Sequence, residues 1–172
     1  RDRLRSRGLG DVYKRQPIDV VQRVLKEFWG VKHRIEFVRD LHGVLYYNDS
    51  KATNPDAAIR GIGSMNRKTL LIGGGYDKNL EFDAWIESFD GKVKCLLLIG
   101  QTKDKIAVCA RKHGFENIVC CDTLNEAVNI CYRLAKPGEA VLLSPACASW
   151  GDFKDYTQRG ELFRQYVMEL PE

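Results

Sequence analysis

LLIGGGYDKN, residues 70–79, is the stretch on which the reading of the fold turns. Leu70, Leu71 and Ile72 form a short unbroken apolar run, and Gly73, Gly74 and Gly75 stop it before Tyr76, Asp77, Lys78 and Asn79 return the chain to water. An apolar run without alternation suits a strand covered on both faces, the condition of strands in a parallel sheet flanked by helices. Cys95 to Ile99, Ile118 to Cys120 and Ala140 to Leu143 have the same form, and the segments between them are long enough for helices. The helix ends are marked. Thr53 or Asn54 can cap a helix with Pro55 in its first position, and Thr123 can cap one carrying Ala127, Val128 and Cys131. Helices also fit Phe82 to Phe89, Lys103 to His113 and Gly160 to Leu170. Upstream, Ile35 and Phe37, then Val44 and Tyr46, alternate with polar neighbours on either side of His42-Gly43, as in a β-hairpin. Earlier still, Ile18, Val21, Val24, Leu25 and Phe28 recur at helical spacing up to Gly30. The expected fold is α/β: a mostly parallel, Rossmann-like sheet with crossover helices, opened by an antiparallel β-hairpin.

At 172 residues and 44% hydrophobic, the chain suits one globular domain with its own core. Its formal charge of +4 is concentrated at one end, because residues 1–16 hold six basic and two acidic residues and leave 21 of each for the remainder. No basic stripe follows Gln16, which argues against a nucleic-acid partner. RDRLRSRGLGDVYKRQ, residues 1–16, lacks an apolar face, and Ser6 to Gln16 resembles the conceptual translation of a transposase adapter used in sequencing libraries. It is expected to be a non-native, disordered tail; the alternative is a natural basic arm for phosphate-rich surfaces. The six cysteines, Cys95, Cys109, Cys120, Cys121, Cys131 and Cys147, show no CxxC spacing and lie mostly within apolar patterns, so reduced, buried thiols are expected. No apolar run approaches the roughly 18 residues that cross a bilayer, and no secretory signal is recognisable. A reducing cytoplasm, no membrane partner and a monomer are the corresponding expectations.

Ligands of such sheets gather beyond the carboxyl ends of the strands, and three loops there are unusually polar or small. In NDSKATNP, residues 48–55, a helix start offers unpaired N–H groups and Lys51 adds a full positive charge, so an anion can be held. Asp49 could accept from sugar hydroxyls or sit near a cation. Capping by Thr53 or Asn54 with a solvated Lys51 explains the same residues without a ligand. In GGGYDKN, residues 73–79, glycines permit positive φ and close backbone approach to a ligand, and Lys78 can reach a carboxylate or phosphate. This is not a P-loop, since GxxxxGK[ST] occurs nowhere in the chain. In LSPACASW, residues 143–150, Ser144 and Ser149 bring hydroxyls among small residues. Cys147 reads as a packed thiol rather than a nucleophile, and His33, His42 and His113 show no metal-ligand spacing, so no metal is assigned.

Taken together, NDSKATNPDAA and LLSPACASWGDFKDYTQRG resemble the C-terminal domain of the Mur ligase family, and within it the branch that adds D-glutamate. The resemblance runs from about Gly30 to the end. It implies that 31–172 is the C-terminal domain and that 17–30 is the last helix of a truncated central ATPase domain. The implied activity is ATP-dependent addition of D-glutamate to UDP-N-acetylmuramoyl-L-alanine in peptidoglycan precursor synthesis, through an acyl phosphate from which the amine then displaces phosphate. By the same resemblance, Lys51 is catalytic, lying near the transferred phosphoryl group. Thr53, Lys78, Ser149, Trp150 and Tyr156 bind D-glutamate, and Arg34, Asp49 and Lys51 contact ATP. ATP and Mg2+ belong to the full-length enzyme. The P-loop, magnesium ligands and uridine-binding domain are expected to lie in missing parts of the same chain, leaving this fragment inactive alone. Two alternatives stay open: a non-enzymatic α/β nucleotide-binding or interaction module, and a related ligase using another amino acid.

Overall fold

The computed structural model describes residues 17–27 and 30–172. The tail expected over 1–16 and the place of Phe28 in the first helix lie outside those residues. The chain divides into two compact units, residues 1–30 and 31–172. In the first, helix α1 spans Ile18–Glu27, with Asp19 in its first turn where the helix dipole favours negative charge.

The second unit is built on six strands. β1 (Glu36–Leu41) and β2 (Val44–Asn48) form the antiparallel hairpin, and β3 (Thr69–Gly74), β4 (Val93–Ile99), β5 (Ile118–Cys120) and β6 (Ala140–Leu143) complete the sheet. The order across it is β1-β2-β6-β3-β4-β5, and every pairing except β1 with β2 is parallel. His42 and Gly43 turn the hairpin with φ of 52° and 80°, the paired positive values that a two-residue turn matching strand twist requires. The helices are α2 (Pro55–Gly63), α3 (Asp83–Glu87), α4 (Lys103–Lys112), α5 (Leu124–Leu134) and α6 (Tyr156–Met168).

Alternation along the buried strands divides the core in two. Leu71, Leu96, Leu98 and Leu142 point to the face covered by α2, α3 and α4, where Ile62, Trp85 and Ile106 pack. Leu70, Ile72, Leu97, Val141 and Leu143 point to the other, covered by α5 and α6 through Val128, Cys131, Phe163 and Val167. This is the three-layer α/β arrangement expected. Among the described residues no helix is long and apolar enough to cross a membrane.

Several local expectations differ from the structure. Phe37 is 53% exposed and meets Tyr47 edge-on, because the β1–β2 register shifts between Phe37 and Arg39 and breaks the alternation. Ile35, with φ of 49°, precedes the strand rather than opening it. β5 is an edge strand with Cys120 exposed, so it is not covered on both faces. Four of the six thiols are buried, Cys109 is intermediate, and all six are free. α3 keeps only five residues of the Phe82 to Phe89 segment. α6 begins at Tyr156, ahead of Gly160, because the Asp155 carboxylate accepts from the Gln158 N–H and caps the helix.

Candidate functional site

β2, β6 and β3 are adjacent and parallel, so the loops that follow them emerge side by side at one end of the sheet. These are the three loops singled out in the sequence. Asn54 is the residue that caps α2, its side chain accepting from the Ala57 N–H at 2.9 Å. That leaves Thr53 outside the cap, next to Lys51. Arg34, Lys51, Thr53 and Tyr156, with Asn54, Asp56, Ala57 and Arg60, line a cleft of about 420 Å³. A smaller pocket continues from it to Asp49. The Lys51 ammonium lies 5.6 Å from the centroid of the Tyr156 ring.

The other two loops meet each other. The Tyr76 N–H donates to the Ala148 carbonyl at 2.9 Å, and Trp150 sits edge-on to Tyr76. The Lys78 ammonium lies over the Trp150 indole, 4.1 Å from its centroid, within the range of a cation–π contact. Ser149 is 4% exposed and its carbonyl accepts from the Phe153 N–H. Lys78, Ser149 and Trp150 therefore stand in neighbouring loops and are not walls of the Lys51 cleft.

What joins the loops is Arg159, a residue the sequence reading passed over. Fully buried on α6, it donates through Nε to Ser50 Oγ at 3.0 Å, through Nη2 to the Ser50 carbonyl at 2.8 Å and through Nη1 to the Cys147 carbonyl at 3.1 Å. All three acceptors are uncharged, and burial lowers the guanidinium to about 10. Ser50 Oγ donates in turn to the Tyr156 carbonyl at 2.8 Å, which fixes the start of α6 beside Lys51. Gly75 sits in the same junction with φ of 150°, and a Cβ there would lie 2.4 Å from the Ala148 carbonyl oxygen. The glycines were expected to admit a ligand; at Gly75 the close approach is to the protein's own backbone.

Behind Lys51, the fully buried Asn48 holds a second junction. Its Nδ2 donates to His33 Nδ1 at 3.0 Å and to the Gly160 carbonyl at 3.2 Å, while its Oδ1 accepts from the Ser50 N–H. His33, at φ of 62°, presents its carbonyl to the Lys51 N–H at 3.0 Å. Asp49 follows, 4% exposed, accepting from the Ser144 hydroxyl at 2.8 Å. Burial raises its carboxyl to about 6 despite the opposing pull of Ser144, the Ile35 backbone and Arg34. Cys147 is buried with its thiol pushed up to about 11 by desolvation, which keeps it protonated and suits the packed role expected of it. Outside the cleft, Asp83, Cys109 and His113 bring their ligating atoms within 4.8 Å of one another.

The family described as "Mur ligase, glutamate ligase domain" matches residues 33–147, two thirds of the chain. The chain belongs to the Mur ligase family. Among its relatives, the UDP-N-acetylmuramoylalanine--D-glutamate ligase of Lachnoclostridium phytofermentans is 56% identical over 154 residues, covering 90% of this chain and 34% of the relative. The ligase of the same name from Lachnospira eligens is 53% identical over 154 residues, with the same coverage. The chain thus spans about a third of the length of the curated relatives it matches. The Thermotoga maritima UDP-N-acetylmuramate-alanine ligase shares the fold with a TM-score of 0.64 at 14% identity, over 93% of this chain and 35% of that one. A Mycobacterium tuberculosis folylpolyglutamate synthase complexed with ADP does so with a TM-score of 0.63 at 13% identity, over 92% and 37%. The cleft of this Mur ligase domain also holds Arg60, one turn into α2 from Asp56 and exposed to the cavity, which only the spatial arrangement reveals.

Proposed function

We propose that the chain is the amino-acid-binding domain of a ligase that joins D-glutamate to UDP-N-acetylmuramoyl-L-alanine at the expense of ATP. The observation that carries this reading is the gathering of Arg34, Lys51, Arg60 and Thr53 around one cleft at the start of α2, with the Lys78 loop tied alongside. Three cations and a helix start suit a negatively charged ligand, and a cleft of about 420 Å³ is of the size that holds a nucleotide-scale molecule. A neutral interaction module has no need of such a concentration of positive charge in a concavity.

In this reading Arg34 and Asp49 contact the nucleotide, Asp49 from its buried position beside Ser144. ATP supplies the phosphoryl group that turns the substrate carboxylate into an acyl phosphate. Lys51, whose backbone is held by His33 and whose neighbour Ser50 is held by Arg159, offsets negative charge on the transferred group and lies near the incoming amino acid. Lys78, Thr53 and Ser149 hold the D-glutamate carboxylates, with Trp150 and the backbone at Tyr156 completing the site. Magnesium fits here only as a companion of the nucleotide, since among the described residues the cleft has no group of three close ligating side chains. Uridine recognition and the P-loop are assigned to other parts of the full-length protein, so this chain alone is expected to release no phosphate from ATP.

A domain exchange tests the proposal. With residues 31–172 grafted onto the remaining domains of the Lachnoclostridium relative, phosphate release is expected to require D-glutamate, ATP and UDP-N-acetylmuramoyl-L-alanine together. Lys51→Ala in that chimera is expected to lower turnover at least 100-fold, on the order of losing one charge-stabilising group in an active site. A chimera that accepts another amino acid in place of D-glutamate, or that tolerates Lys51→Ala, overturns it.

A further inference from the structure

Away from the cleft, α3 and α4 each present two potential metal ligands one helical turn apart. Asp83 and Glu87 are the first and last residues of α3. Cys109 lies in the last turn of α4, and His113 is its C-cap, with its N–H on the Cys109 carbonyl. Residues four apart share a helix face, so the two pairs confront each other across the helix–helix contact. His113 Nε2 lies 2.8 Å from Asp83 Oδ1, and His113 Nδ1 lies 3.5 Å from Glu87 Oε1. The ligating atoms of Asp83, Cys109 and His113 all fall within 4.8 Å of one another.

We propose that Asp83, Cys109 and His113 form a binding site for a thiolate-seeking divalent cation, zinc foremost, that staples α3 to α4. Tetrahedral zinc, with bonds of about 2.0 to 2.3 Å, sets its donor atoms roughly 3.3 to 3.8 Å apart; the 2.8 Å His113–Asp83 pair has to spread slightly around the ion, and every pair already lies within 4.8 Å. Imidazole, thiolate and carboxylate make a donor set that favours zinc over calcium or magnesium, and water completes the fourth position. Glu87 faces the imidazole nitrogen that the metal leaves unused, the arrangement that orients a metal-bound histidine. Lys112, which donates to Asp83 at 3.1 Å, is 72% exposed at its side chain and swings into water when the carboxylate takes a metal. The site lies on the helix whose Lys105 pairs with Asp77 at 3.2 Å, so the staple would steady the support of the loop that carries Lys78.

Cobalt(II) alone is the probe, followed by zinc. The chain is expected to bind one Co2+ with the visible bands of tetrahedral coordination and a near-ultraviolet thiolate charge-transfer band, both displaced by Zn2+, and to gain thermal stability with zinc. Cys109→Ser is expected to abolish the charge-transfer band and His113→Gln to weaken binding at least 10-fold, since even an outer-shell partner of a metal ligand is worth about that much. Cys120→Ser, at the exposed thiol, is expected to leave both signals intact. Circular dichroism of each variant establishes that it is folded. A spectrum of octahedral, water-ligated cobalt overturns the proposal, as does a charge-transfer band that survives Cys109→Ser and disappears in Cys120→Ser. An unchanged melting temperature in saturating zinc overturns the staple.

Discussion

Arg159→Lys isolates the device that ties the Lys51 loop to the Cys147 loop. The guanidinium reaches Ser50 Oγ, the Ser50 carbonyl and the Cys147 carbonyl at once, at 3.0, 2.8 and 3.1 Å. A lysine ammonium is a single point on a flexible stem and cannot span both loops, so it retains the Ser50 side or the Cys147 side. Each buried acceptor left without a donor costs about 1 to 3 kcal/mol, and the ammonium stays buried with fewer partners. A loss of about 2 to 5 kcal/mol follows, a large part of the roughly 5 to 15 kcal/mol that holds a domain of this size folded. Arg159→Met removes the buried charge together with its bonds. Because burial already works against that charge, lowering the guanidinium to about 10, methionine is expected to be no worse than lysine. Urea unfolding followed by tryptophan fluorescence measures both variants, with an unchanged slope showing that the unfolded reference is the same. Hydrogen exchange is expected to quicken at the Lys51 and Tyr76 amides, bonded to His33 and Ala148, while β4 stays protected. A lysine variant within about 0.5 kcal/mol of the parent, the range of an ordinary surface change, would refute the idea that Arg159 ties the loops.

Two further predictions concern the site itself. Asp49 has a folded value of about 6, above the roughly 3.9 of an exposed aspartate, so the folded state holds its proton more tightly than the unfolded state does. The stability this group contributes is therefore present below about pH 4 and lost as pH rises through 6. At about 1.4 kcal/mol per unit, Asp49→Asn is expected to recover up to about 3 kcal/mol at pH 7.5 and almost none at pH 4. Thermal melts at the two pH values check it, and an equal gain at both disproves the buried-charge account. Trp150→Ala removes the aromatic face under Lys78; an exposed cation–π contact of about 0.5 to 1 kcal/mol predicts a two- to five-fold rise in the D-glutamate KM of the chimera. A fall in kcat with KM unchanged would place Trp150 elsewhere in the reaction.

The sheet was legible because unbroken apolar runs have few uses outside a covered strand, and LLIGG, CLLLI and AVLL all became central strands. Loop identity was legible for the same reason, since strand ends fix where polar residues emerge. The edges were harder. β5 has only three residues and a single parallel neighbour, so apolar composition alone could not tell it from a covered strand. The register shift near Phe37 depends on cross-strand pairing, which no local pattern encodes. Asn54 rather than Thr53 caps α2 because its side chain reaches Ala57, a choice that turns on backbone dihedrals. Arg159 had a signal that went unused: Arg159, Phe163 and Val167 recur every four residues on the buried face of α6, so the arginine stands where an apolar residue belongs. A charge on an apolar stripe must meet buried acceptors, and here they are the backbone carbonyls of Ser50 and Cys147 in the two loops beside the site. Cys109 and His113 gave a similar four-residue signal that became meaningful only once α3 placed Asp83 opposite them. In both cases the helix periodicity was in the sequence and the partner was not, because the partner comes from another segment whose position the sheet order decides.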